Sequence, residues 1–467
     1  MTDVTKQLSE FAANLKHEEI PVEVAERAKL LALDLLGIAL RARFDADSTP
    51  AMMQAAAKLW PGGGECRVIG DAAGYAPPAA ALINGALGHS LDFDDTHAPA
   101  SLHPSAPVVP AALAAAEMTG ASGADTVAGI VAGLEVICRL GQATVPAEHY
   151  DRGYHPTATC GAFAAAAAAG RVMGLSAGEI ENALGIALSE SAGSLQFLEN
   201  GAWTKRFQVG NAARNGLVAA CFAAEGYLGA AEAIEGRYGF LRAYAPNPAP
   251  ERAVAGLGEK WETLGVAIKP YPGCRFTHAG IDAVIELKRQ HGIEADAVEA
   301  IEVGLSRKGV DLTGEPQDQK RTPESVVDGQ FSMHFLAGVA LVEGGVGWDD
   351  YKTHLGHKPT LELLQKVAIV QDERIEAVYP ENLGGSVRIT TLDGETHESV
   401  VEVPKGEPAN FVSAEELRAK FSGLVTPYIG QAGETALYTA VMELEAGSVA
   451  DIFRHATPPG DLAAAGE

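Results

Sequence analysis

Between Cys160 and Leu175 the chain reads CGAFAAAAAAGRVMGL, and such a run admits few folds. Alanine is the strongest helix former but offers almost no side chain to pack, so a helix made of it buries itself only where its neighbours come close. The 467 residues include 52 glycines, and the neighbouring helices must likewise meet through small side chains. This is the most apolar window of the sequence. Arg171 interrupts it, and it is too short and too weakly hydrophobic to span a bilayer. The run predicts a helix over 160–173 buried against protein.

Other helices follow the same logic. In PVEVAERAKLLALDLLGIALRAR, Val24, Ala28, Leu31, Leu35 and Ile38 fall at helical spacing with charges on the opposite side. Further helices are expected at 105–118, 124–140, 176–188 and 210–225, and Ser176 with Glu179 forms a capping box at one start. No strand pattern is evident before about residue 260. The glycines of WPGGGECRVIG lack dinucleotide-loop spacing and read as a turn into a short strand. The four prolines of RAYAPNPAPERAVAGLG suggest a boundary loop, and beyond it AVEAIEVGLS and RIEAVYP read as strands. SVRITTLDGETHESVVEV reads as a hairpin, its Asp393-Gly394 suited to a type I′ turn, and helices begin near Thr277 and Gln330. Ser413 and Glu416 cap a last helical stretch. The expectation is a mainly α protein: an all-α domain over 1–265, a smaller α+β domain over 266–404, and C-terminal helices over 405–467 that return to the first domain.

Charge and cysteine content exclude several partners. With a formal net charge of −26, the chain lacks the clustered lysine and arginine that nucleic acid or an anionic membrane requires. Five cysteines without a Cys-x-x-Cys pair suit reduced thiols in the cytoplasm. The N-terminal residues have no apolar signal-peptide core.

The chemistry concentrates in HSLDFDDTHAPASLHPSA, where three aspartates and three histidines occupy 89–106 without a lysine or arginine. Unpartnered burial of such groups costs several kcal/mol, so the segment is either solvated loop or the lining of a site. Asp94 and Asp95 look like a metal pair, but no third carboxylate stands at ligand spacing, and hydrogen-bonded loop carboxylates are the better reading; no metal is expected. His89 and His97 read as structural. His103-Pro104 and His155-Pro156 each precede a small-residue helix. Proline suits the first helical position and keeps the preceding residue extended, which sets each histidine at a helix mouth where the dipole favours anions and a neutral imidazole. Cationic partners come from Lys205 and Arg206 before the Gly-Asn-Ala-Ala helix start and from Lys269 and Arg275 in AIKPYPGCRFTH.

ALINGALGHSLDFDDTHAPASLHPSAPVVPAALAAAE, GYHPTATCGAFAAAA, TKRFQVGNAARNG and KPYPGCRFTH occur in the order and spacing of the MmgE/PrpD family, which the chain resembles over nearly its whole length. That family includes 2-methylcitrate dehydratase, cis-aconitate decarboxylase and iminodisuccinate epimerase. The resemblance implies a helical domain with a smaller α+β lid, a homodimer, and chemistry on a small di- or tricarboxylate without cofactor or metal. It implies Asp92, His103, His155, Lys205 and Lys269 as catalytic residues, with Thr96, Cys274 and Arg275 at the substrate. Cys274 and Phe335 stand where the decarboxylase branch has a histidine and a tyrosine, with His334 a candidate substitute polar group. The leading expectation is therefore a hydro-lyase of the 2-methylcitrate dehydratase type, then an epimerase of an imino- or amino-dicarboxylate, with a decarboxylase or an inert carboxylate-binding homologue further back. A base near neutral pKa must remove a weakly acidic proton, for which His155 is the candidate, and the lysines would stabilise the carbanion. Which histidine is base and which is acid stays open.

Overall fold

The computed structural model describes residues 3–199 and 201–460. The chain divides into two compact units, one running to Ala267 and resuming at Phe421, the other spanning Ile268–Lys420.

The first unit is built around the alanine run. The helix Pro156–Val172 lies in the middle of it, with Ala162 and Ala164 through Ala169 at most 1% exposed. Around it pack the helices Ser105–Thr119, Gly123–Ala143, Ala177–Glu190 and Thr204–Ala224. Contact this close needs small partners: a Cβ on Gly216 would stand 2.4 Å from the Cβ of Ala165. The helices Pro77–Gly88 and Thr204–Ala224 cross as tightly, since a Cβ on Gly210 would stand 2.2 Å from the Leu82 carbonyl oxygen. Gly210→Ala is accordingly expected to force the two helices apart at a cost of about 1–3 kcal/mol, read as a lowered thermal midpoint.

Helix Val22–Asp45 has the expected apolar face buried, and Ser176 with Glu179 makes the capping box. Three details differ from the sequence reading. The helix expected from 210 starts at Thr204, so Lys205 and Arg206 lie inside its first turn. The short strand read after the glycine loop is present as Cys66–Arg67, but its pairing with Gly74–Tyr75 in a two-residue ribbon means that the first unit is not all-α. The proline-rich stretch is not a free boundary loop: Ala249 N donates to Ala143 O, Ala253 is buried, and Arg139 donates to the carbonyls of Ala255 and Lys260. Among the described residues no helix is long and apolar enough to cross a membrane.

The second unit holds a four-stranded sheet in the order Val367–Gln371, Val298–Leu305, Gly385–Thr391, Thr396–Val401. The first pair is parallel, with Ile301 opposite Val367, and the rest are antiparallel, with Val303 opposite Val387. Val298, Ile301, Val303 and Leu305 face a core shared with the helices His278–His291 and Met333–Glu343.

RIEAVYP is not a strand. Asp372 accepts from the amide of Arg374 and caps a helical turn over Glu373–Glu376, and the strand is the preceding VAIVQ. Nor is the hairpin turn type I′, which needs two left-handed residues. Only Gly394 has a positive φ, of 87°, and its amide donates to Thr391 O, so a type I turn is followed by a left-handed glycine. This unit also runs past 404 to Lys420, because Lys405 N donates to Asp282 and Glu407 binds Arg275.

Candidate active site

The helix Pro77–Gly88 ends at His89, and the segment after it turns inward. His89, Asp94, Asp95 and His97 are each at most 2% exposed, so 89–106 is not solvated loop. Burial on this scale demands partners, and most of them lie within the segment. His89 Nδ1 stands 2.6 Å from Asp94 Oδ2, and His103 Nδ1 stands 3.3 Å from the same oxygen. The two rings meet edge to face at 4.7 Å. Asp95 binds the amide and hydroxyl of Ser105 at the start of the next helix. Burial pushes its carboxyl up to about 8, Asp94 and Asp34 adding to the rise and Ser105 opposing it. His97, read as structural, pairs with Glu262 at 3.2 Å.

His155 is the N-cap of the central helix, extended at φ −94° and ψ 102° ahead of Pro156. Its ring lies 5.8 Å from that of His89 and edge-on to Phe197 at 5.5 Å. Its Nδ1 is 3.2 Å from Gln208 Oε1, while Gln208 Nε2 donates to Ser194 O. With the amide so oriented, Nδ1 carries the hydrogen and Nε2 keeps its lone pair. Burial, reinforced by His89, Lys205 and His103, holds this imidazole well below its usual range. It is therefore neutral at physiological pH, chiefly through burial rather than the helix dipole invoked above.

Lys205 projects from the first turn of its helix to within 2.7 Å of Asp92 Oδ1. Burial presses the ammonium towards neutrality, but Asp92 outweighs it and raises the lysine above its ordinary value. Asp92 itself sits at a φ of 51°, a left-handed conformation uncommon outside glycine. The tight crossing at Gly210 holds the helix bearing Lys205 against the helix that leads into Asp92. The Tyr150 hydroxyl donates to Ser101 O, and this ring, near enough to feel both Lys205 and Asp92, is a neighbour the sequence did not mark.

The structure thus brings Asp92, His103, His155 and Lys205 into one neighbourhood of the first unit. Thr96 is fixed there through its backbone, in an antiparallel bridge with Ala267. Lys269, Cys274 and Arg275 belong to the second unit. Lys269 is buried, and Cys274 N donates to Gln330 O. Arg275 is gripped by Glu407, His278 and the Lys405 carbonyl. Phe335 stacks on Tyr351 at 5.5 Å, and the Tyr351 hydroxyl donates to Pro272 O in the lysine-proline segment. His334 is buried beside Gln317 and pushed down to about 3, by burial and then by Arg321 and Lys320.

The sequence alone reads His89 as structural and Asp94 as a hydrogen-bonded loop carboxylate, and it does not mark Gln208. A signal existed for Gln208, which stands three residues after Lys205 and so shares its helix face. His89, Asp94 and His103 also form the one cluster among the described residues with a metal donor set. Two ligands of a tetrahedral zinc ion, each bound at about 2.0 Å, lie roughly 3.3 Å apart. The 2.6 Å between His89 and Asp94 fits a shared hydrogen better.

The sequence profile of the MmgE/PrpD N-terminal domain matches residues 6–253, and that of the MmgE/PrpD C-terminal domain matches 271–445. The chain belongs to the MmgE/PrpD family. Among curated members, the cis-aconitate decarboxylase-like protein oryM of Aspergillus oryzae is 31% identical over 95% of both chains. The cis-aconitate decarboxylase of Aspergillus terreus is 32% identical over 86% of this chain and 85% of its own. That of Mus musculus is 27% identical over 95% and 91%. The MmgE/PrpD motifs quoted from the sequence are the segments that carry Asp92, His103, His155 and Lys205.

Proposed function

We propose that this MmgE/PrpD protein is a cofactor-independent hydro-lyase that dehydrates a small hydroxy-polycarboxylate. The observation that carries the reading is the grouping of His103, His155 and Lys205, two imidazoles and an ammonium, around one buried segment. Dehydration breaks a C–H bond beside a carboxylate and a C–O bond on the neighbouring carbon, forms the alkene and releases water. It needs a base for the first proton, an acid for the departing hydroxide, and a cation for the charge that builds between them. Lys205, displaced from Asp92 by a substrate carboxylate, supplies that cation. The family resemblance adds Lys269 as a second one, which Lys269→Met tests separately.

A second reading, decarboxylation, is favoured by the names of the curated relatives. There a C–C bond breaks, CO2 leaves, and an imidazolium protonates the carbanion. The two diverge in one experiment: the purified protein is incubated in D2O with citrate, methylcitrate, aconitate, malate, tartrate and iminodisuccinate in turn and followed by proton NMR. A new vinyl signal from a saturated hydroxy acid supports dehydration. Release of CO2 from aconitate transfers the assignment to decarboxylation, and deuterium exchange without an alkene transfers it to an epimerase. No turnover and no binding of any member overturns the enzymatic reading.

The protein is further proposed to act as a homodimer. Trp203, Phe207 and Phe222 leave exposed aromatic surface along the helix of Lys205. Light scattering should give about twice the 48.5 kDa chain mass, and a monomeric mass would reject it.

A further inference from the structure

Resting on the reading of His103 and His155 as an acid–base pair, we propose that Asp94 and His89 are positioning residues that make His103 the general acid. The Asp94 carboxylate is fully buried and faces two imidazoles with one oxygen: His89 Nδ1 shares a hydrogen bond with it at 2.6 Å, and His103 Nδ1 stands 3.3 Å away, within ion-pair distance but outside hydrogen-bond geometry. Its other oxygen has no hydrogen-bond partner. A buried anion needs a compensating positive charge, and the adjoining rings are where that proton can reside. His89 is the poorer host: its ring is wholly enclosed, its Nε2 has no partner, and burial pushes it down to about 4 against the pull of Asp94. His103 keeps 16% of its side chain open and can present an Nε2–H outward. Asp94 therefore directs its charge at the more open His103 ring, with His89 as a strut fixing the carboxylate.

His155 is arranged the other way. Its Nδ1 faces an amide oxygen instead of a carboxylate, and that one favourable contact is outweighed by burial and the neighbouring His89, Lys205 and His103. The two histidines, equivalent in sequence as His-Pro motifs, differ in partner: a carboxylate makes an acid, an amide leaves a base. The titratable groups around His103 are Asp94 and His89, then His155 from the central helix. Lys205 acts on His89 and His155, Asp92 pairs with Lys205, and Asp95 borders Asp94.

In the full-length protein, the imidazole resonances of His103 are followed by NMR across pH, and the pH profile of kcat is measured on the best substrate of the panel. Asp94→Asn removes the charge at constant size. The His103 titration and the alkaline limb of kcat, where the acid loses its proton, should both move down by about one pH unit or more, with kcat falling about 10²-fold and KM changing less than threefold. His89→Leu removes the competing donor and leaves Asp94 to His103 alone, so both should move up. Opposite displacements by two neighbours are not what loss of packing alone would give. A His103 that is neutral at pH 7 in the wild type, or a titration unmoved by Asp94→Asn, overturns the assignment. Because the NMR titration needs no substrate, it decides this point even where no panel member is turned over. If Asp94→Asn fails to fold, the wild-type titration and His89→Leu decide it.

Discussion

His155→Gln is expected to lower kcat by about 10²–10⁴-fold, the range a positioned base contributes, with the thermal midpoint nearly unchanged. The ring touches Phe197 and Gln208 and stands at a helix N-cap, so glutamine loses the basic nitrogen and little else. Gln208→Glu is the more discriminating variant. A carboxylate facing Nδ1 favours the protonated ring, raising a pKa that burial now holds low. The base works only when deprotonated, so the acid limb of kcat should climb towards neutral pH, and activity lost at pH 6 should return at pH 8. The measurement is the pH profile of kcat for wild type and Gln208→Glu side by side. Superimposable acid limbs would show that His155 is not the base.

This asymmetry between the two histidines was not legible in the sequence, whereas their presence in the site was. Period and composition suffice for helices such as Val22–Asp45 and for the buried alanine run, because each bears its own pattern. His103 and His155 stand out through the prolines that follow them, and proline acts on its immediate neighbour. Gln208 acts on His155 from elsewhere in the chain, and Asp94, though in the same segment as His89 and His103, depends on how that segment folds back on itself, which no local spacing announces. The strand at Val367–Gln371 was missed for a related reason. VAIVQ is short, and RIEAVYP beyond it also carries the strand formers Ile375, Val378 and Tyr379, so only the Asp372 cap, which binds the Arg374 amide, decides where strand gives way to helix. Asp92 shows the converse: its motif marked it, but its left-handed backbone and its pairing with Lys205, whose helix is held close by the crossing at Gly210, appear only in the fold.

Arg139→Met should destabilise the first unit by about 3–5 kcal/mol, the cost of leaving one member of a buried ion pair alone. Arg139 and Glu135 stand one turn apart on the Gly123–Ala143 helix, each about 1% exposed, with Nε 3.0 Å from the carboxylate. Each fixes part of the same incoming strand of chain. Arg139 donates to the carbonyls of Ala255 and Lys260, and Glu135 accepts from the amides of Glu262 and Thr263 and from the Thr263 hydroxyl. Those contacts hold the proline-rich stretch and the residues after it onto the helix, up to Ala267, whose backbone pairs with Thr96 beside the candidate site. Methionine fills the arginine's volume but strands the Glu135 charge and frees three carbonyls, that of Gly256 included. Adding Glu135→Gln removes that charge, so the double variant should recover a large part of the loss, a coupling of more than about 1 kcal/mol in a double-mutant cycle. Strictly additive losses would mean that the two side chains pin the segment independently and that the ion pair between them contributes nothing.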